Sequence, residues 1–116
     1  MAVKESADRL KWYHYLFGFL AGLFLMNTLP HFIHGIDGES FPTPFADPPG
    51  KGLSSPVVNI LWALLNLAVG YGFYRLGKVS AERKWTVLAF FLGLAFVSLM
   101  FAVMAPSVLQ QYKAVQ

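Results

Sequence analysis

The distribution of charge constrains this chain more than any other feature of it. No Asp, Glu, Lys or Arg occurs from Trp12 to Ile36, from Gly52 to Tyr74, or from Trp85 to Tyr112, intervals of 25, 23 and 28 residues. A soluble domain of 116 residues needs a mostly polar surface, and its helices would interrupt their apolar stripe with charges every turn or two. Nine basic and six acidic residues, confined to what is left, cannot cover three such stretches. The chain is therefore expected to be an all-α integral membrane protein, since a helix satisfies its own backbone polar groups in lipid.

A hydrocarbon core about 30 Å thick takes roughly 20 residues of helix. The apolar runs place three transmembrane helices at about 12–29, 57–74 and 85–105 in a single membrane domain. A loop at 30–56, a second loop at 75–84 and a tail at 106–116 complete it. Lys4, Arg9 and Lys11 before the first run resemble the start of a secretory signal. However, no small-residue cleavage site follows Met26-Asn27-Thr28-Leu29-Pro30, so an uncleaved helix is expected.

Lys and Arg set the orientation. Three precede the first span and four (Arg75, Lys78, Arg83, Lys84) lie between the second and third, against one in the 30–56 loop and one in the tail. The positive-inside rule then puts the N-terminus in the cytoplasm and the C-terminus outside. Trp12, Tyr13, Tyr15, Tyr71, Tyr74 and Trp85 gather at the same interface, where amphipathic rings prefer to sit. The expected location is a cell membrane (the inner one in a bacterium), with the long loop outside. A pI near 9.3 can signal nucleic-acid binding, but these basic residues flank apolar runs and form no separate face. The expected partners are the lipid bilayer and either further copies of the chain or other membrane subunits, not nucleic acid.

Punctuation supports the same layout. Ser55-Pro56 offers an N-cap and a first-turn proline for the second helix, and Gly77 closes it. Ser80 and Glu82 suit the start of the third, so helices two and three are expected to form a tight antiparallel hairpin. Pro106 should end or kink the third. Beyond it Val108, Leu109, Tyr112 and Val115 share a face, as in a short amphipathic helix lying on the outer surface.

The outer loop holds six of the seven prolines and four of the ten glycines. A connector needs only a few residues, and Phe41-Pro42-Thr43-Pro44-Phe45 is too aromatic for a disordered linker. An ordered loop is expected, with Phe32, Phe41 and Phe45 resting on helix ends or headgroups. Polar residues lean to the same end. Asn27, Thr28, His31 and His34 close the first helix, and Asn59 opens the second. Asn66 lies roughly 10 Å deeper at about 1.5 Å per residue, and Asn59, Trp62, Asn66, Gly70 and Phe73 share one stripe. Ser98 falls in the outer half of the third helix.

Two roles fit such residues. Asn, Ser and Gly hold membrane helices together, and Gly18, Gly22 and Gly70 are candidate packing positions within or between chains. Alternatively Asn27, His31, His34, Asn59 and Asn66 line an outward-facing ligand pocket. His31, His34 and Asp37 have spacing that a metal could use if the chain is helical there, although Gly35 is expected to end the turn. His14 lies at the opposite end, so one chain cannot supply both axial ligands of a single haem b, and the sequence requires no cofactor. With no Cys there are no disulfides, thiolate metal sites or covalent haem. The absence of a nucleophile motif or an intramembrane acid or base argues against catalysis. Two functions follow. One is an accessory or assembly subunit, or an oligomeric membrane scaffold. The other is an outward-facing module that binds or passes a small molecule, lipid or metal.

Overall fold

The computed structural model describes residues 9–115, with side chains to residue 104; Lys4 and the tail face of Val108, Leu109, Tyr112 and Val115 fall outside the described side chains. The described chain forms three helices: α1 (Trp12–Ile36), α2 (Pro56–Leu76) and α3 (Lys84–Val115). Trp12–Ile36, Pro56–Leu76 and Lys84–Met104 are each long and apolar enough to cross a membrane. Burial is inverted relative to a soluble domain. Only 17 to 28 % of each span is buried, and Leu61, Leu65, Phe91, Phe96 and Leu99 are exposed. Asn59, Asn66, His31 and Thr86, by contrast, are buried. Apolar side chains outside and polar ones inside is the arrangement that lipid selects, because lipid gives a Leu no reason to hide and a polar group every reason to find a partner.

Helix ends differ from expectation in an instructive way. α1 does not stop before Pro30 but runs through it to Ile36. Proline removes one donor, the N–H that would have bonded the Met26 carbonyl. Ending the helix there would have left several backbone groups unpaired at membrane depth, which is worse. As a result His31 and His34 are helical residues. α3 likewise continues through Pro106 to Val115, so the tail is a continuation of α3, not a separate helix. α2 starts as expected: Ser55 Oγ accepts from the Val58 N–H at 3.2 Å, ahead of Pro56.

Gly77 does follow α2, but its φ is −78°, and the left-handed residue is Lys78 with φ 51°. Glycine is needed at 77 for a different reason. A Cβ there would lie 2.7 Å from Gly18 N and 3.0 Å from the His14 carbonyl. At the same end His14 is buried and its Nδ1 accepts the Lys11 N–H at 2.8 Å, so it caps α1.

α1 is the central helix. It packs on α2 along one side and on α3 along the other, whereas the backbones of α2 and α3 do not pack together. The expected tight hairpin is therefore replaced by two helices that flank a third. Their side chains meet at the loop 77–83 end, where the Tyr74 and Phe90 rings lie 5.5 Å apart. Small residues set both of the α1 interfaces. A Cβ on Gly22 would collide with the Phe90 carbonyl, and one on Gly93 would collide with the Phe19 carbonyl, a reciprocal close approach of α1 and α3. On the other side Gly70 sits against Leu25, and Phe73 stacks on Phe17 at 5.7 Å. Where two backbones are that close, only glycine fits.

Candidate functional site: a cleft beneath the long loop

The segment between α1 and α2 folds back on itself. Phe41 and Ser54 exchange both backbone hydrogen bonds, at 3.1 and 3.0 Å. Inside that closure the Thr43 carbonyl accepts from Ala46 and Gly50, and the Thr43 and Ser54 hydroxyls bond each other. Gly38 and Gly50 take left-handed backbone, with φ of 74° and 72°, where an L side chain would be strained. The Asp47–Pro48 bond is cis.

Asn59, in the first turn of α2, locks this loop onto the bundle. Its Nδ2 donates to the carbonyls of Phe41, Ser54 and Ser55 at 3.0, 3.1 and 3.0 Å. Its Oδ1 lies 2.8 Å from His31 Nδ1. The donor sense of that last bond follows from the first three. Three carbonyl oxygens can face only the NH₂ of the amide, so the carbonyl oxygen faces His31, and His31 Nδ1 carries the proton. Asn59 thereby ties loop, α2 and α1 together and is fully buried.

Asn66, one stripe deeper, is spent in the same manner. Its Nδ2 donates to the Trp62 carbonyl at 2.7 Å and its Oδ1 accepts from Asn27 Nδ2 at 3.0 Å. Ser98 bonds back to the Leu94 carbonyl within its own helix. His34 is half-buried and is not among the residues that line the same polar cluster. Its ring stacks on Phe41 at 4.1 Å, and Nδ1 lies 3.2 Å from Glu39 Oε2 in an exposed pair.

Because α2 and α3 diverge from each other, a cleft of about 280 Å³ opens on α1 beneath the loop. Its floor is Asn27 and His31 of α1. Trp62 of α2 forms one wall, and Met100, Phe101 and Met104 of α3 form the other. The roof is the Phe41–Pro44 strand of the loop with Gly50. His31 is where every piece converges, with Phe41, Trp62 and Phe101 set edge-on around its ring at 5.3, 6.4 and 6.2 Å. It is 4 % exposed, and Nδ1 is the only ring nitrogen with a partner among the described residues. Trp62 Nε1 is buried without an acceptor among the described residues.

Of the five residues expected to line a pocket, the cleft takes two, Asn27 and His31. Asn59 and Asn66 instead hold helices and loop together, and His34 lies outside. The His31/His34/Asp37 spacing does not close into a ligand set: no group of three or more His, Asp or Glu among the described residues is placed to hold a metal. The physical reason is that Asn59 takes the inner histidine and Glu39 the outer one. Sequence reasoning missed Phe101, Met100 and Met104, which carry no signal in an apolar helix. Trp62 could have been found, since it sits on the same stripe as Asn59 and Asn66. No protein-family model, curated protein sequence or solved structure matches the chain.

Proposed function

We propose that this multi-pass membrane protein, oriented with its N-terminus in the cytoplasm and the long loop outside, binds a small apolar molecule in the outer half of the membrane. The observation that carries the reading is the cleft itself. Its aromatic, thioether and proline walls suit an apolar body, and Asn27 and His31 on the floor supply a few fixed polar contacts. That mixture, at a volume near the lower end of the roughly 300–1,000 Å³ usual for such sites, is how proteins hold small organic ligands. Binding is preferred over the role of assembly subunit because Gly18, Gly22 and Gly70, the small-residue positions that a partner helix would use, face neighbours within the chain.

The test uses 2-naphthol as probe and the protein reconstituted in lipid nanodiscs. Equilibrium dialysis against empty nanodiscs removes simple partition into lipid. Saturable uptake of about one probe per chain is expected. It should be lost in Met100→Trp, whose larger side chain fills the cleft from the α3 wall. Uptake no greater than that of empty nanodiscs would overturn the reading.

A further inference from the structure

The hydrogen bonds around His31 reach beyond a general apolar site. The inference that follows rests on the cleft being a binding site, and it concerns which chemistry that site accepts. Asn59 has its NH₂ committed to three backbone carbonyls, so its oxygen can only accept, and His31 must donate from Nδ1. In the neutral imidazole Nε2 then carries a lone pair and no proton. His31 lines the cleft, and its Nε2 has no partner among the described residues.

An acceptor that opens into a largely apolar cleft is poorly solvated, and a charge-neutral hydrogen bond made to it contributes about 0.5–1.5 kcal/mol net. A ligand that brings a donor gains that bond, and one that brings only acceptors meets lone pair against lone pair. In the adjoining wall Trp62 Nε1–H lacks an acceptor among the described residues. That atom is itself buried, so the need the cleft presents to a ligand is a donor for His31, and a hydroxyl group is the smallest group that supplies one. Around them, Phe41, Trp62 and Phe101 stand edge-on to the imidazole and Met100 and Met104 complete the wall, surroundings that favour a flat ring.

We infer that the cleft selects a phenol-type ligand, an aromatic ring carrying a hydroxyl that donates to His31 Nε2, and discriminates against the corresponding ether or quinone. No covalent or redox step is involved. The proton stays with the ligand oxygen, and Asn59 acts at a distance by fixing which nitrogen of His31 is bare.

The experiment compares 2-naphthol with 2-methoxynaphthalene, which keeps the rings and loses the donor. Each is dialysed against the full chain in nanodiscs and corrected for uptake by empty nanodiscs. 2-Naphthol should bind several-fold and up to about ten-fold more tightly, and His31→Phe should bring the two affinities together. Because His31→Phe also leaves Asn59 Oδ1 unpaired and can unfold the loop, a second measurement needs no change at His31. In protein labelled with ¹⁵N-histidine and carrying His14→Gln and His34→Gln, the remaining residue should show a protonated Nδ1 and a bare Nε2. Only the Nε2 signal should move toward the hydrogen-bonded range when 2-naphthol is added. Equal affinity for the two probes, or a protonated Nε2 in the neutral ring, overturns the inference while leaving the cleft as a binding site. Failure of both probes to bind above empty nanodiscs overturns both.

Discussion

Asn59 and Asn66 are both buried asparagines on the same face of α2, yet their replacement by leucine should have unequal consequences. Asn59→Leu removes the donors to the carbonyls of Phe41, Ser54 and Ser55, and the acceptor for His31. Phe41 and Ser54 keep their mutual backbone bonds, and Ser55 keeps the Asn59 N–H, so those carbonyls retain a partner. His31 Nδ1–H does not. Side-chain hydrogen bonds inside membranes average about 0.6 kcal/mol, and two amide hydrogens lost give about 1 kcal/mol. An orphaned buried donor adds about 1–3 kcal/mol, for a total of about 2–4 kcal/mol. Asn66→Leu loses one bond to a carbonyl of its own helix and one to Asn27. Asn27 borders the cleft, where water or ligand can replace the lost partner, so about 1 kcal/mol is expected. Reversible unfolding in mixed micelles by SDS titration measures both. A second readout is proteolysis within 42–52, which Asn59→Leu should accelerate and Asn66→Leu should not. Equal destabilisation by the two variants would refute the reasoning, because it would mean that Asn59 does not hold the loop.

Four further expectations concern the bundle, the loop contact and the orientation. Gly22→Ala places a Cβ against the Phe90 carbonyl and Leu94 N, forcing α1 and α3 apart at a cost of about 1–3 kcal/mol. Gly72→Ala, which meets nothing within 4 Å, should be neutral or stabilising by up to about 1 kcal/mol in the same titration. His34→Ala removes only an exposed pair with Glu39 and a ring stacked on Phe41, so a loss of no more than about 1 kcal/mol is expected, with probe binding retained. The chain has no cysteine, so single replacements report topology directly: an impermeant thiol reagent applied to intact cells should label Ser40→Cys and not Ser80→Cys. The opposite labelling would invert the orientation drawn from the basic residues.

How much of this was legible without coordinates depends on whether a residue's role is local. The Ser55-Pro56 start of α2 was, because an N-cap involves only the next turn. Pro30 misled, because its local preference to break a helix was outweighed by the cost of bare backbone in lipid, which is a property of the surroundings. The glycine at 77 was placed correctly but for the wrong reason. Its closeness to Gly18 depends on how α2 leans on α1, not on its own φ.

The sequence by itself determined that the chain carries three helices long and apolar enough to cross a membrane, and which end of the molecule gathers Asn, His and proline. Those properties follow from composition summed over stretches of about 20 residues, and such sums do not depend on packing. Only the tertiary structure decided which of the polar residues are structural and which are available. Asn59 and Asn66 look identical in sequence to ligand-binding asparagines, and so does His34 to His31. Each histidine's freedom depends on where its partner stands: Asn59 fixes the tautomer of one from 28 residues away, and Glu39 holds the other at the rim. The cleft likewise exists because α1 lies between α2 and α3 and keeps them apart. That arrangement is set by Gly22 against Phe90 and Gly70 against Leu25, and no apolar pattern along a single helix encodes it.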